Sequence, residues 1–291
     1  MPVEWFIGKV DIFHSSDFLR PPLLKGTRGI TTIHDLTWKK FPEYHTQDIV
    51  KAHERKLKKT IQYIDTILVD SFNTKKDLLF YYPEIVKTNS IFALYLGIDE
   101  EFRLIKNTEE MRKVLRKYHI EYPANYLLYV GAIEPRKNLE TAIIVFSELI
   151  KNKKYADFLF LIIGKAGWKN KAFFSLIKKL RLTKKIKCIG YVINHDLPYF
   201  YNASKVFIYL SLYEGFGLPP LEAICCGTNS LIYKSSSLKE IFPESYPFTQ
   251  KKRELETLRY LIDKKPTISH SFFQKFSWKN YAQQFFNAVS K

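Results

Sequence analysis

Apolar residues fall along this chain in two alternating rhythms. DIFHSS (11–16), GITTIHD (29–35), DTILVDS (65–71) and TNSIFAL (88–94) are short apolar runs of strand length, and residues 47–62 and 73–81 between them repeat with a helical period. A polar helical stretch, NTEEMRKVLRKYHI (107–120), leads to Pro123, and a second series follows. YLLYV (126–130), FLFLIIG (158–164), KIKCIGYV (185–192), KVFIYL (205–210) and TNSLIY (228–233) read as buried strands. Between the first two, apolar residues at 139, 142, 143, 146, 149 and 150 mark one face of a helix with Asn138 as its N-cap. Strands alternating with helices of this length form parallel sheets, so the pattern predicts an α/β protein with one unit over 1–122 and a second over 123–291.

One segment of the second series breaks the rhythm. SLYEGFGLPPLEAICCG (211–227) sets Glu214 and Glu222 on either side of a Gly-Phe-Gly-Leu-Pro-Pro run. Proline fits the first positions of a helix but not its interior, which places Glu214 before a helix and Glu222 in its first turn. With KVFIYL ahead of it, this is a strand, glycine loop, helix unit that aims free backbone N–H groups at whatever lies over the loop and favours an anion there. Glycines at 215 and 217 allow close backbone approach and φ values closed to other residues. A carboxylate accepts two hydroxyl hydrogen bonds, each contributing about 1.5–3 kcal/mol net, so vicinal diols suit both glutamates.

In doubly wound sheets ligands bind beyond the carboxyl ends of the strands. Two further strand ends stand out in the second series, GAIEPRKN (131–138) and GYVINHDL (190–197). Arg136 and Lys137 lie in a loop just before a helix, where their cations and the helix N–H groups can clamp a diphosphate. In the first unit, TTIHDLTW puts His34 at the end of an apolar strand, with Asp35 beside it to orient it. His14 in DIFHSS has similar geometry and a weaker claim.

Composition narrows the classes. At 291 residues, 46% hydrophobic and 16% aromatic, the chain buries a large core and more readily forms two domains than one. The formal charge of +17 suits nucleic acid, an anionic membrane or a phosphorylated substrate, but no RNA-recognition signature or helix-turn-helix supports the first. Three cysteines, at 188, 225 and 226, are too few and wrongly spaced for a disulfide framework or a tetrahedral metal site, which fits a reducing cytosol. No apolar run approaches the roughly 18 residues of a membrane span, and the N-terminus has no signal-peptide core. The basic stretch WKNKAFFSLIKKLRLTKK (168–185) is amphipathic. Trp168, Phe173, Leu176, Ile177 and Leu180 are expected to pack on a sheet, leaving lysines free to meet anionic lipid at about 1 kcal/mol each.

The order GAIEPRKN, GKAGW (164–168), GYV and EGFGLPPLEA resembles the retaining nucleotide-sugar glycosyltransferases of family 4, in particular their bacterial mannosyltransferase branch. The resemblance runs from about residue 10 to the C-terminal FSWKNYAQQF. It implies a GT-B architecture: two Rossmann-like domains facing a cleft, the donor in the C-terminal one, the acceptor mostly in the N-terminal one, and the last helix crossing back. By the same resemblance Glu214 holds donor-sugar hydroxyls and shares the catalytic role with His34, which points toward the reacting sugar. The backbone of Phe216, Gly217 and Leu218 approaches sugar and phosphate, and Arg136 and Lys137 meet the diphosphate. Glu222 takes the ribose hydroxyls, while Tyr191 and Val192 border the base. The implied reaction is metal-independent transfer of a hexose with retention, from GDP-mannose by preference, to a glycan or lipid-linked acceptor such as lipopolysaccharide. It needs no cofactor, and it runs in the cytoplasm at the inner face of a membrane.

The resemblance has two departures. Ala132 follows Gly131 where relatives often carry Arg, and the segment DIFHSSDFLRPP, which relatives place well inside their N-terminal domain, begins here at residue 11. Without the preceding strands and glycine loop, the first unit is expected to expose a sheet edge and an uncovered apolar face, and so either to be covered by a second chain or to be unstable. The alternative function is an inactive, truncated homologue serving as nucleotide-binding subunit of a transferase complex.

Overall fold

The computed structural model describes residues 1–16, 21–87, 90–167, 170–264, 268 and 270–290. Its strands form two parallel sheets. In the first, β1 (Ile12–Ser15), β2 (Arg28–Ile33), β3 (Thr66–Val69) and β4 (Ser90–Ala93) lie in sequence order. In the second, β5 (Tyr126–Val130), β6 (Leu159–Ile163), β7 (Ile186–Gly190), β8 (Val206–Tyr209) and β9 (Ser230–Ile232) lie in the order β7-β6-β5-β8-β9. The chain winds outward from β5 to β7, then returns to the other side of β5. This creates a topological switch point between β5 and β8.

The longer helices are α1 (Gln47–Ile61), α2 (Phe72–Tyr81), α3 (Thr108–Arg116), α4 (Leu139–Leu149), α5 (Lys171–Lys179), α6 (Leu197–Ala203), α7 (Leu218–Cys225), α8 (Glu254–Ile262) and α9 (Trp278–Val289). Polar caps start several of them. Thr46 accepts from Ile49 N at α1, Ser71 from Thr74 N at α2, Asn107 from Glu109 N and Glu110 N at α3, and Ser277 from Asn280 N at α9. Asn138 departs from expectation. It precedes α4 in the left-handed region at φ 54°, and its side chain makes no cap but accepts the Thr141 hydroxyl at 2.7 Å.

The chain divides into two compact units, residues 1–97 with 214–216 and 275–291, and residues 98–213 with 217–274. The division falls at Gly97 rather than after residue 122, because α3 packs with the second unit. Met111, Val114 and Leu115 are buried, and just beyond α3 Lys117 Nζ and Tyr118 Oη reach the buried Asp196 carboxylate at 3.1 and 2.9 Å.

In the first unit α1 and α2 cover one sheet face, with Leu57, Ile61 and Leu78 packed among Ile33, Ile67 and Val69. The other face is not left open. Ala288 and Val289 of α9 pack with Ile30, Leu68 and Leu94, and Arg28 Nη1 donates to the Val289 carbonyl. The uncovered face expected from the short N-terminal series is thus closed by the chain's own C-terminal helix. The sheet edge remains at β1, where Ile12 is exposed. In the second unit, Phe173 and Ile177 of α5 are buried, so its apolar stripe faces inward. Trp168 lies outside the described residues.

Candidate functional site

Parallel pairing of β2 with β3 aligns Ile33 with Val69, so the residues that follow, His34 and Asp70, emerge side by side. His34 Nδ1 lies 2.7 Å from Asp70 Oδ2, and its Nε2 lies 2.9 Å from the Ser16 carbonyl. A carbonyl only accepts, so Nε2 carries a proton, and the Nδ1–Asp70 contact holds a second one between nitrogen and carboxylate. Burial pushes the Asp70 carboxyl up, against the lowering effect of its hydrogen bond to His34. The imidazole itself is half exposed. Asp70, not Asp35, orients His34; Asp35 Oδ1 instead accepts the Thr37 N–H at 2.9 Å. His14 bonds Thr32 Oγ1 at 2.8 Å and packs on Phe285, and burial lowers its pKa.

The glycine loop meets this strand end. Glu214, Gly215 and Phe216 belong to the first unit, where Glu214 and Phe216 are buried and the Phe216 ring packs with Tyr95 and Phe276. A Cβ on Gly215 would stand 2.1 Å from the His34 carbonyl oxygen and 2.9 Å from Asp35 Cβ, so only glycine fits. The Gly215 carbonyl accepts from Ser71 Oγ at 2.6 Å, with Thr74 Oγ1 at 3.3 Å. Gly217 takes φ +107° and opens the second unit's part of the motif.

α7 begins at Leu218, which puts Glu222 in its second turn rather than its first. Its second and third residues are prolines without N–H, so this helix start offers fewer backbone donors than a strand, loop, helix unit ordinarily does. Glu222 accepts the Tyr201 hydroxyl at 2.8 Å. Burial, reinforced by Asp99 and opposed by Tyr201, pushes its carboxyl up to about 7. Tyr201 on α6 is wholly buried, and its own pKa is raised by burial and by Glu222.

At the switch point the loops after β5 and β8 are tied together. Arg136 Nη1 donates to the Tyr213 carbonyl at 2.9 Å and Nη2 to Glu134 Oε1 at 2.7 Å, while Leu212 N donates to the Arg136 carbonyl at 3.1 Å. Lys137 is buried, with Nζ 2.8 Å from the Tyr209 hydroxyl and over its ring. Both cations therefore stand beside the segment leading into Glu214. Tyr191 and Val192 follow β7, two strands away from β5 in the sheet; Tyr191 is exposed and Val192 buried. Asp70, Ser71, Thr74 and Tyr201 escaped the sequence reading. The pair Asp70–Ser71 directly after the apolar run TILV carried the same strand-end signal as His34.

Two helix-flanked parallel sheets, with carboxylates and cations gathered at their strand ends, define a protein of the GT-B glycosyltransferase fold class. Residues 108–247 match the family "Glycosyl transferases group 1", so just under half of the chain is a region similar to that family. The chain is 32% identical over 232 residues to the O-antigen chain mannosyltransferase B of Escherichia coli, covering 79% of this chain. It spans 58% of that relative's own length. Among solved structures, sucrose-phosphate synthase of Thermosynechococcus elongatus superposes with a TM-score of 0.71 at 16% identity, over 96% of this chain and 73% of that one. HepE of Anabaena, in complex with UDP and glucose, superposes with a TM-score of 0.70 at 15% identity, over 91% and 72% of the two chains.

Proposed function

We propose that this chain is a hexosyltransferase that moves mannose from GDP-mannose to a glycan or lipid-linked acceptor, with retention at the anomeric carbon and without a metal. The observation that carries the reading is the close seating of Gly215 against His34, which brings a histidine and a carboxylate loop to one strand end in a chain whose residues 108–247 match a glycosyltransferase family. Mannose is favoured by the likeness to an O-antigen chain mannosyltransferase.

In the reaction the oxygen of the acceptor hydroxyl bonds to the anomeric carbon, the bond from that carbon to the diphosphate oxygen breaks with its electron pair leaving on GDP, and the hydroxyl proton passes to the released diphosphate. Arg136 and Lys137 balance the charge that builds on the diphosphate. Glu214 and the backbone of Phe216, Gly217 and Leu218 hold the sugar, Glu222 holds the ribose diol, and Tyr191 with Val192 borders the base. His34 engages the reacting sugar by exchanging the Ser16 carbonyl for a sugar hydroxyl at Nε2. Attachment to an anionic membrane surface at the cytoplasmic face would use the lysines around α5, since the apolar stripe of that helix is already buried.

A thermal-shift panel of GDP-, UDP-, dTDP- and ADP-sugars tests the donor. A ligand at about 100 times its dissociation constant stabilises the chain by about 2.7 kcal/mol, and GDP-mannose should stand alone. No shift with any of the four overturns the reading.

A further inference from the structure

The end of β3 carries two polar residues in succession, and they act on different parts of the candidate site. Asp70 orients His34. Ser71, wholly buried, accepts the Thr74 N–H at 3.0 Å and donates to the Gly215 carbonyl at 2.6 Å. Thr74 is equally buried, and its Oγ1 stands 3.0 Å from Ser71 Oγ, 3.3 Å from the Gly215 carbonyl and 3.4 Å from the His34 carbonyl.

Each hydroxyl has one proton to give. The shortest contact assigns the Ser71 proton to Gly215, while the Thr74 proton has the Ser71 hydroxyl oxygen, the Gly215 carbonyl and the His34 carbonyl within reach. A helix cap needs only an acceptor, so capping α2 explains a lone pair of Ser71 and not its proton. The proton serves the glycine loop. The His34 carbonyl presses on Gly215, leaving no room for a Cβ, and Phe216 packs against Tyr95 and Phe276, which also touch each other. The tripeptide 214–216 is thus held at its centre by a hydroxyl and at its end by aromatic rings.

We propose that Ser71, backed by Thr74, is a positioning residue that locks the Glu214–Phe216 segment to the strand end bearing His34. The clamp itself follows from the contacts; its effect on turnover rests on the transferase reading above. Neither residue touches substrate. They act through the loop, which sets the geometry of Glu214 against His34.

The test uses the full chain with Ser71→Ala, Ser71→Thr and Thr74→Val, and with Thr46→Ala as a control that removes a hydroxyl cap from α1 in the same unit. Amide exchange of the segment 214–217, hydrolysis of GDP-mannose and calorimetric binding of GDP are measured. Ser71→Ala should speed exchange of that segment about tenfold. It should also lower turnover by roughly 10²-fold, the cost of a misplacement on the order of 1 Å, with GDP affinity unchanged. Ser71→Thr should restore both, and Thr74→Val should move both in the same direction by less. Thr46→Ala should lower the melting temperature alone. If Ser71→Ala does not fold, Thr74→Val is read in the same way. Exchange of 214–217 that responds no more to Ser71→Ala or Thr74→Val than to Thr46→Ala overturns the clamp. A wild-type chain that leaves GDP-mannose intact counts against the transferase reading alone, since exchange still decides the clamp.

Discussion

Glu214 and Glu222 are the same side chain eight positions apart, yet they belong to different physical settings. Glu214 sits in a tripeptide that groups with the first unit, pinned through Gly215 to the strand ends of His34 and Ser71. Glu222 sits inside a helix of the second unit, bonded to a buried tyrosine, with its carboxyl pushed up to about 7. One is placed by backbone and glycine, the other by a side-chain partner in a poorly solvated site. A carboxylate whose position follows a neighbouring strand suits work on the reacting sugar. One whose charge state is poised near neutrality suits binding that is easily reversed.

The largest expected effect separates the two directly. Glu214→Ala should lower mannosyl transfer by roughly 10²- to 10³-fold, as removal of a group aimed at the reacting centre does, while calorimetry shows GDP binding unchanged. Glu222→Ala should reverse the pattern. The loss of charge-assisted hydrogen bonds of about 1.5–3 kcal/mol weakens GDP about 10- to 100-fold. Equal loss of GDP affinity in both variants would erase the contrast.

The protonation of Glu222 sharpens the comparison through stability. The folded carboxyl titrates near 7 and the unfolded one near 4.5, so between those values the folded state holds a proton that the unfolded state has released. Stability linked to this group is therefore complete below pH 4.5 and is lost as pH rises through 7. Glu222→Gln should stabilise the chain at pH 8 by up to about 3 kcal/mol and have no effect near pH 4, by denaturant melts at each pH. A pH-independent difference would mean that the carboxyl is not poised as described.

Gly215→Ala attacks the other side. With a methyl group 2.1 Å from a carbonyl oxygen, the loop must shift, at a cost of about 1–3 kcal/mol in a chemical melt. An unperturbed melt would show that the loop does not press on His34. The smallest change is expected from Tyr201→Phe, which removes one hydrogen bond to Glu222 worth about 1 kcal/mol. It should raise the pH at which GDP affinity is half lost, and an unmoved profile would remove Tyr201 from the account.

Much of the fold was legible because parallel strands buried on both faces read as continuous apolar runs. Eight of the nine strands described fall within the runs picked out from the pattern, and the ninth, β2, begins one residue ahead of its run. The glycine loop was legible too, since Pro219 and Pro220 admit only one placement relative to a helix. What escaped notice depends on pairing. His34 has Asp35 as its sequence neighbour, but strand register brings Asp70 to it, and register is a property of two strands at once. Tyr201 reaches Glu222 from another helix for the same reason. The boundary after residue 97 was hidden because α3, polar along much of its length, carries the few apolar residues that choose its unit.

The return of α9 to the first sheet has a consequence for synthesis. Arg28 and Val289, joined by a hydrogen bond, stand 261 positions apart, and among the described residues the apolar face around Ile30 is closed by α9, near the end of the chain. The second unit takes its residues from an almost continuous stretch, 98–274, so its core needs nothing from α9, while the first sheet does. The sheet whose strands are made before those of the second unit is closed after them. Until α9 arrives, the nascent chain carries an open parallel sheet, the kind of surface that invites chaperones and aggregation.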